Sequence, residues 1–259
     1  MYRGLYSAAL GMNSQWTNLE VVANNMANIS SPGYKKDETI FSSLPNLSIS
    51  RLYDNIIKSP AGYKDTAPSV GGLGTGVGID DIITIHSDGP IQPTENPFDL
   101  AIQGNGFFCV STPAGERYTR DGRFTRDYEG YLATISGNRV LSDLNLPIEI
   151  PEGDFIVDED GMVFVNREEI EKLKVVSFDE REDLLKVGAG LFKKRDVVNP
   201  KVAEGALIKQ GYLELSNVNA IFEMVKMIEV QRLYEANQRV VLTYDDVMRR
   251  GIDDVGRIA

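Results

Sequence analysis

Hydrophobic positions follow three regimes along this chain. Near the N-terminus Leu5, Ala8, Met12, Leu19, Val22 and Met26 recur at alternating spacings of three and four, with Gln15 at one polar seam position. Ala9, Trp16 and Ala23 widen the stripe. This heptad-like spacing predicts an amphipathic helix over residues 3–28. At 1.5 Å per residue it would run about 39 Å. It is expected to stop within Asn28-Ile-Ser-Ser-Pro-Gly33, because proline disfavours helix in the residue before it and Pro-Gly supplies a turn.

A second helical pattern lies near the other end. Val218, Ile221, Val225 and Ile228 form a stripe that resumes one position later at Leu233, Ala236, Val240 and Val247. Ser216 or Asn217 is the expected N-cap. Between the two helices the period changes to that of strands and turns. Tyr118-Thr-Arg-Asp121-Gly122-Arg-Phe124 predicts a hairpin centred on Asp-Gly, and Glu129-Gly130, Ser136-Gly137-Asn138 and Asp160-Gly161 predict further turns. Leu173 to Phe178 reads as one more strand. Residues 35–80 are poorly patterned and rich in Ser, Pro, Asp and Gly, with one short apolar stretch at Leu52 to Ile57. The expected organisation is therefore α+β. Residues 1–34 and 213–259 form a terminal helical domain pairing as a coiled-coil-like layer, 35–78 an extended linker, and 79–212 a central, mostly antiparallel β-domain.

Charge and composition narrow the chemistry. With 38 acids against 27 bases the net charge is −11, which argues against nucleic acid as a partner. The one cysteine, Cys109, permits no internal disulfide, and its Gly-Phe-Phe-Cys-Val setting reads as a buried strand. The one histidine, His86, follows Ile82-Ile83-Thr84-Ile85 and is expected at a strand end on the surface. A cleaved signal peptide is not expected, since Asn13, Ser14 and Gln15 interrupt the first apolar run, and no run has the length of a membrane span. Gly71-Gly72-Leu-Gly74-Thr-Gly76-Val-Gly78 lacks the lysine and spacing of a phosphate loop. Asp158-x-Asp160-Gly161 lacks the later acidic ligands of a calcium loop. No nucleophile–base or zinc signature is present, and the pairs Asp80-Asp81, Asp245-Asp246 and Asp253-Asp254 read as solvated charge. Neither an enzyme, a cofactor site nor a metal site is expected.

Three blocks carry a resemblance. The first, Ala23-Asn24-Asn25-Met26-Ala27-Asn28-Ile29-Ser30-Ser31-Pro32-Gly33-Tyr34-Lys35, resembles the N-terminal signature of bacterial flagellar rod and hook proteins, with methionine in place of the usual leucine. The second comprises Asn96-Pro-Phe-Asp99-Leu-Ala-Ile-Gln-Gly104-Asn-Gly106-Phe107-Phe108 and Tyr118-Thr119-Arg120-Asp121-Gly122-Arg-Phe124. The third is Gly211-Tyr-Leu-Glu-Leu-Ser216-Asn217-Val218-Asn219-Ala220-Ile221. They stand in the family's order and bracket nearly the whole chain, while 35–75 and 179–205 carry no match. The length leaves no room for the inserted domains of hook proteins. The chain is identified as a member of the basal-body rod family. Its middle and C-terminal blocks look closest to the FlgF type, whereas Gly74-Thr-Gly-Val77 and Arg232-Leu-Tyr-Glu235 are also at home in the distal-rod FlgG type.

The resemblance implies a structural subunit located in the flagellar basal body, exported without a cleaved signal through the flagellar type III apparatus. It further implies polymerisation with copies of itself and other rod and hook proteins into a helical tube that transmits torque and encloses the export channel. Surrounding basal-body rings are further candidate partners, and no membrane insertion is implied. The residues expected at the assembly interface are Leu5, Met12, Leu19, Val22 and Met26 with Val218, Ile221, Val225 and Ile228. The amides of Asn24, Asn25 and Asn28 are expected to satisfy carbonyls at the helix end. Two alternatives are a distal-rod or hook-proximal subunit and, in a different class, a non-flagellar binding module on a helical stalk.

Overall fold

The computed structural model describes residues 2–51, 56–59, 62–65, 69–178, 184–195, 199–203 and 205–256. Two helices, α1 (Tyr2–Ala27) and α2 (Ala220–Gly256), bracket short strands that pair mostly antiparallel, so the α+β class is observed. The observed ends of α1 lie within one residue of the expected ones. The chain divides into two compact units, one of residues 1–23, 38–83 and 222–259, the other of residues 24–37 and 84–221.

In the first unit the two helices touch. The Trp16 and Tyr234 rings lie 6.0 Å apart. Gly4 faces the Tyr244 ring and Gly11 the Asn237 amide, and a side chain at Gly4 would collide with that ring. Residue numbers rise along one helix as they fall along the other, so these contacts run antiparallel. Polar residues hold α1 to neighbouring segments. Ser14 Oγ donates to Val77 O at 3.1 Å, Ser7 Oγ to Thr75 O at 3.1 Å, and Thr39 Oγ1 to Asn18 Oδ1 at 2.8 Å.

The segment read as an extended linker carries several strands. Asp37–Ser43 pairs with Val77–Thr84, Leu47–Ser50 with Ser69–Leu73, and Ile56–Ser59 with Gly62–Asp65. Residues 47–50 read Leu-Ser-Ile-Ser, an apolar–polar alternation too short to stand out, and all four are exposed, so no core face fixes the strand. The glycines of 71–74 lie in or beside the second of these ribbons. Of the apolar stretch Leu52–Ile57, residues 52–55 lie outside the described residues.

The second unit is built on a nine-stranded sheet. At its centre, Phe107–Thr112 pairs with Gly115–Thr119, Arg139–Val140 and Val175–Ser177. Because side chains alternate across a strand, Phe108 and Val110 enter one hydrophobic cluster while Phe107 and Cys109 enter another. Beside it, a three-stranded sheet orders Phe155–Val157, Met162–Val165 and Glu168–Lys172, the last on its edge. The turns at Glu129-Gly130, Ser136-Gly137-Asn138 and Asp160-Gly161 all join antiparallel neighbours, and each glycine has a positive φ.

Two expectations are corrected here. Asp121-Gly122 does not turn a hairpin. The strand before it pairs with Phe107–Thr112 and Leu191–Lys194, the strand after it with Leu132–Thr134. The Asp121 carboxylate instead accepts from the Arg123 backbone N–H at 3.1 Å and its guanidinium at 2.8 Å, and Gly122 O accepts from Leu100 N at 3.0 Å. His86 is buried rather than at the surface. Its ring centroid sits 5.7 Å from that of Phe107 and 5.4 Å from that of Phe192, so aromatic packing outweighs its polarity.

Candidate functional site

The three motif blocks converge in the second unit on one buried charge cluster. Lys35 and Glu214 form an ion pair with side chains 1% and 2% exposed. Arg120 Nη1 donates to Glu214 Oε2 at 3.2 Å and to Ile102 O at 3.0 Å, and its Nη2 donates to Gly104 O at 2.6 Å. Glu214 also accepts from Gly89 N at 2.9 Å, and Lys35 Nζ donates to Ser87 O at 2.8 Å. Asp88, 55% exposed, lies 3.5 Å from Arg120. Burial lowers the Lys35 pKa below its ordinary 10.5, while Glu214 pulls it back up.

Backbone geometry makes room for this cluster. Gly33 has φ +67, a region that L side chains rarely adopt, and a Cβ there would collide with the Arg120 backbone. Its N–H donates to Glu214 O at 2.7 Å. At Gly122 a Cβ would strike the Leu100 carbonyl, and at Gly106 it would press on Val175. Phe107 and Phe108 are core residues, Asp99 accepts from Asn96 Nδ2 at 3.1 Å, and Thr119 Oγ1 donates to Gly190 O at 2.9 Å.

The asparagines divide their roles. Asn28 donates to the Asn24 carbonyl at 2.9 Å, the helix-end bond expected of it. Asn25 instead pairs with Asp37 backbone in both directions, at 2.8 and 2.9 Å. Tyr34 Oη donates to Asn24 and Asn25 Oδ1 at 2.9 and 3.1 Å. Asn217 is not a cap. Its Oδ1 accepts from Lys36 N and its Nδ2 donates to Ile85 O, so it ties two loops together. Ser216 Oγ accepts from Val218 N at 3.3 Å, and α2 begins after the exposed Asn219.

The expected interface residues fall into distinct settings. Val22 and Val218 are buried, and Leu5, Met12, Leu19 and Met26 are half-buried. Ile221, Val225 and Ile228 are 76%, 60% and 54% exposed. The later stripe, Leu233, Ala236, Val240 and Val247, is exposed too. The covered face of α2 is a different heptad line of buried or half-buried residues, Glu223, Met227, Val230, Tyr234, Asn237, Val241, Tyr244 and Met248. Its threes and fours were there to be read, but Glu223 and Asn237 break its apolar character.

Comparison with known proteins matches this layout. Residues 5–35 match the family described as "Flagella basal body rod protein", residues 101–165 the "Flagellar hook protein FlgE/F/G D1 domain", and residues 209–254 the "Flagellar basal body rod FlgEFG protein C-terminal". The flagellar basal-body rod protein FlgG of Buchnera aphidicola subsp. Schizaphis graminum is 32% identical, over 96% of this chain and 98% of its own length. The chain belongs to the flagellar basal-body rod protein family. FlgG of Bacillus subtilis and FlgF of Caulobacter vibrioides are each 32% identical as well, over 96% of this chain and 97% of their own lengths. As a family member this chain is a structural component of the basal-body rod. Among the described residues, no helix is long and apolar enough to cross a membrane.

Proposed function

We propose that the chain polymerises through its terminal helices, with further copies and with other axial rod and hook proteins, into a helical tube that transmits torque and surrounds an export channel. The observation that carries this reading is the open face of α2, where Phe222, Met224, Val225 and Ile228 are each at least half exposed. Covering one such side chain contributes roughly 1.5–3 kcal/mol, and a polymer repeats that gain at every contact. A head-to-tail contact that does not close on itself gives a filament rather than a ring. The terminal helices form a coiled-coil-like layer, and the reading is supported by the heptad line on α2 and its contacts with Gly4, Gly11 and Trp16. In this scheme residues 1–34 and 213–259 act as the assembling domain and 79–212 as the β-domain. The assembly interface comprises Leu5, Met12, Leu19, Val22 and Met26 with Val218, Ile221, Val225 and Ile228. The subunit reaches the rod through the flagellar type III export apparatus and has no catalytic role.

The test is Leu19→Asp or Ile228→Asp. Sedimentation at rising concentration should show assembly abolished, while near-UV circular dichroism of the β-domain stays unchanged. A variant that still builds rods removes the interface assignment. Within the rod, the FlgF-type position is the first reading, and the FlgG relatives support a distal-rod position as the second.

A further inference from the structure

The second unit is completed by residues from the far end of the chain. Leu207–Gln210 pairs with Leu100–Gln103, and Tyr212–Glu214 pairs with Ile91–Pro93. Ile208 is buried in the main hydrophobic cluster, and its N–H donates to Glu159 O at 2.9 Å. Gln210 Nε2 donates to Pro97 O and Phe155 O, joining the turn before Leu100–Gln103 to the strand Phe155–Val157. One short block therefore pairs with backbone more than 100 residues earlier in the chain, a closure whose chain-entropy cost has to be met by the contacts it makes.

The charge cluster turns that topology into an interlock. Lys35 and Arg120 are 1% and 4% exposed, and the buried carboxylate between them is that of Glu214. Asp88, the other carboxylate beside Arg120, is 55% exposed. Two buried like charges without a buried anion are strongly unfavourable, so neither seats stably before the carboxylate arrives. Lys35 sits in the segment whose Gly33 N–H, Tyr34 carbonyl and Lys36 N–H bond to residues 214 and 217.

We propose that Glu214 is the closing element of this unit. The segment 24–37 and the loop 85–89 lock only when the block 207–217, the last of the unit in chain order, inserts its carboxylate between Lys35 and Arg120. A chain synthesised or delivered N-terminus first keeps this seam open until its C-terminal block arrives, while the sheet around Phe107–Thr112 can already be formed.

Hydrogen exchange read by mass spectrometry on the dilute full-length chain tests it, with Glu214→Gln, Lys35→Met and the double variant. Glu214→Gln should raise exchange of residues 24–37, 85–93 and 207–217 together, by roughly a hundredfold or more, with 107–112 and 162–165 unchanged. Lys35→Met alone should do much less, and adding it to Glu214→Gln should restore part of the lost protection by removing one unmatched cation. Unchanged exchange in the three segments after Glu214→Gln would overturn the proposal. So would opening of 107–112 to the same extent, or a double variant worse than Glu214→Gln. If Glu214→Gln fails to fold, folding of the double variant supports the interlock and its failure overturns it.

Discussion

In the strand Phe107–Thr112, four consecutive residues from Phe107 to Val110 are almost completely buried. At the start of α2, Ile221, Phe222, Met224, Val225 and Ile228 are equally apolar, yet each keeps half or more of its surface. The two segments differ little in composition. They differ in what is packed against them, because the strand has a hydrophobic cluster on either face while these α2 side chains stay half or more exposed. An apolar run thus reports that a surface is to be covered. Whether the cover comes from the same chain depends on contacts distant in sequence.

The contrast can be broken or sharpened by experiment. The largest effect is expected at Cys109, whose thiol is buried and whose pKa is pushed up by that burial. It should react with a thiol reagent roughly a thousandfold or more slower than in the denatured chain, through opening only. Fast labelling under native conditions would mean that the central strand is not sealed. Next, Phe108→Ala should lower stability in urea by about 3–5 kcal/mol, since it empties a site walled on all sides.

A smaller, pH-dependent effect is expected at Lys35. Its folded pKa lies below 10.5, so between that lowered value and 10.5 the unfolded chain binds more protons than the folded one. The stability contribution of this group is fully present above 10.5 and is lost as pH falls through the folded value. Denaturant midpoints of wild type and Lys35→Met should therefore change relative to each other as pH rises through this window, with wild type gaining. Parallel curves would show that Lys35 does not titrate differently on folding. Smallest of all, Ile228→Ala should change the stability of the dilute monomer by no more than about 0.5 kcal/mol. A loss as large as that at Phe108 would mean that the α2 face is already covered within one chain.

Much of the architecture was legible locally. The α1 stripe, the Pro-Gly stop and three glycine turns depend on neighbours within a few residues, and the structure follows them closely. The errors share a cause. Asp121-Gly122 has hairpin chemistry, but partners at Leu100 and Phe192 divert the strands on either side. His86 looked exposed because its aromatic neighbours, Phe107 and Phe192, are remote in sequence. The motif residues were recognisable as a set, yet nothing in their order revealed that Lys35, Arg120 and Glu214 meet. Ion pairing across 179 residues leaves no periodic trace. On α2 the apolar stripe led to the open face, while the covered one was hidden by its glutamate and asparagine.

The outer strand of the three-stranded sheet, Glu168–Lys172, reads Glu-Glu-Ile-Glu-Lys. A bare sheet edge is a template on which another chain can add a strand, and charged side chains along it discourage that pairing. In the proposed polymer, where copies pack side by side, this matters more than it would for a dispersed protein. On the proposed assembly, copies at high local concentration would meet a repelling border on this sheet and an apolar face on the helix. Such a border would steer growth of the proposed polymer toward an ordered lattice and away from amyloid-like stacking.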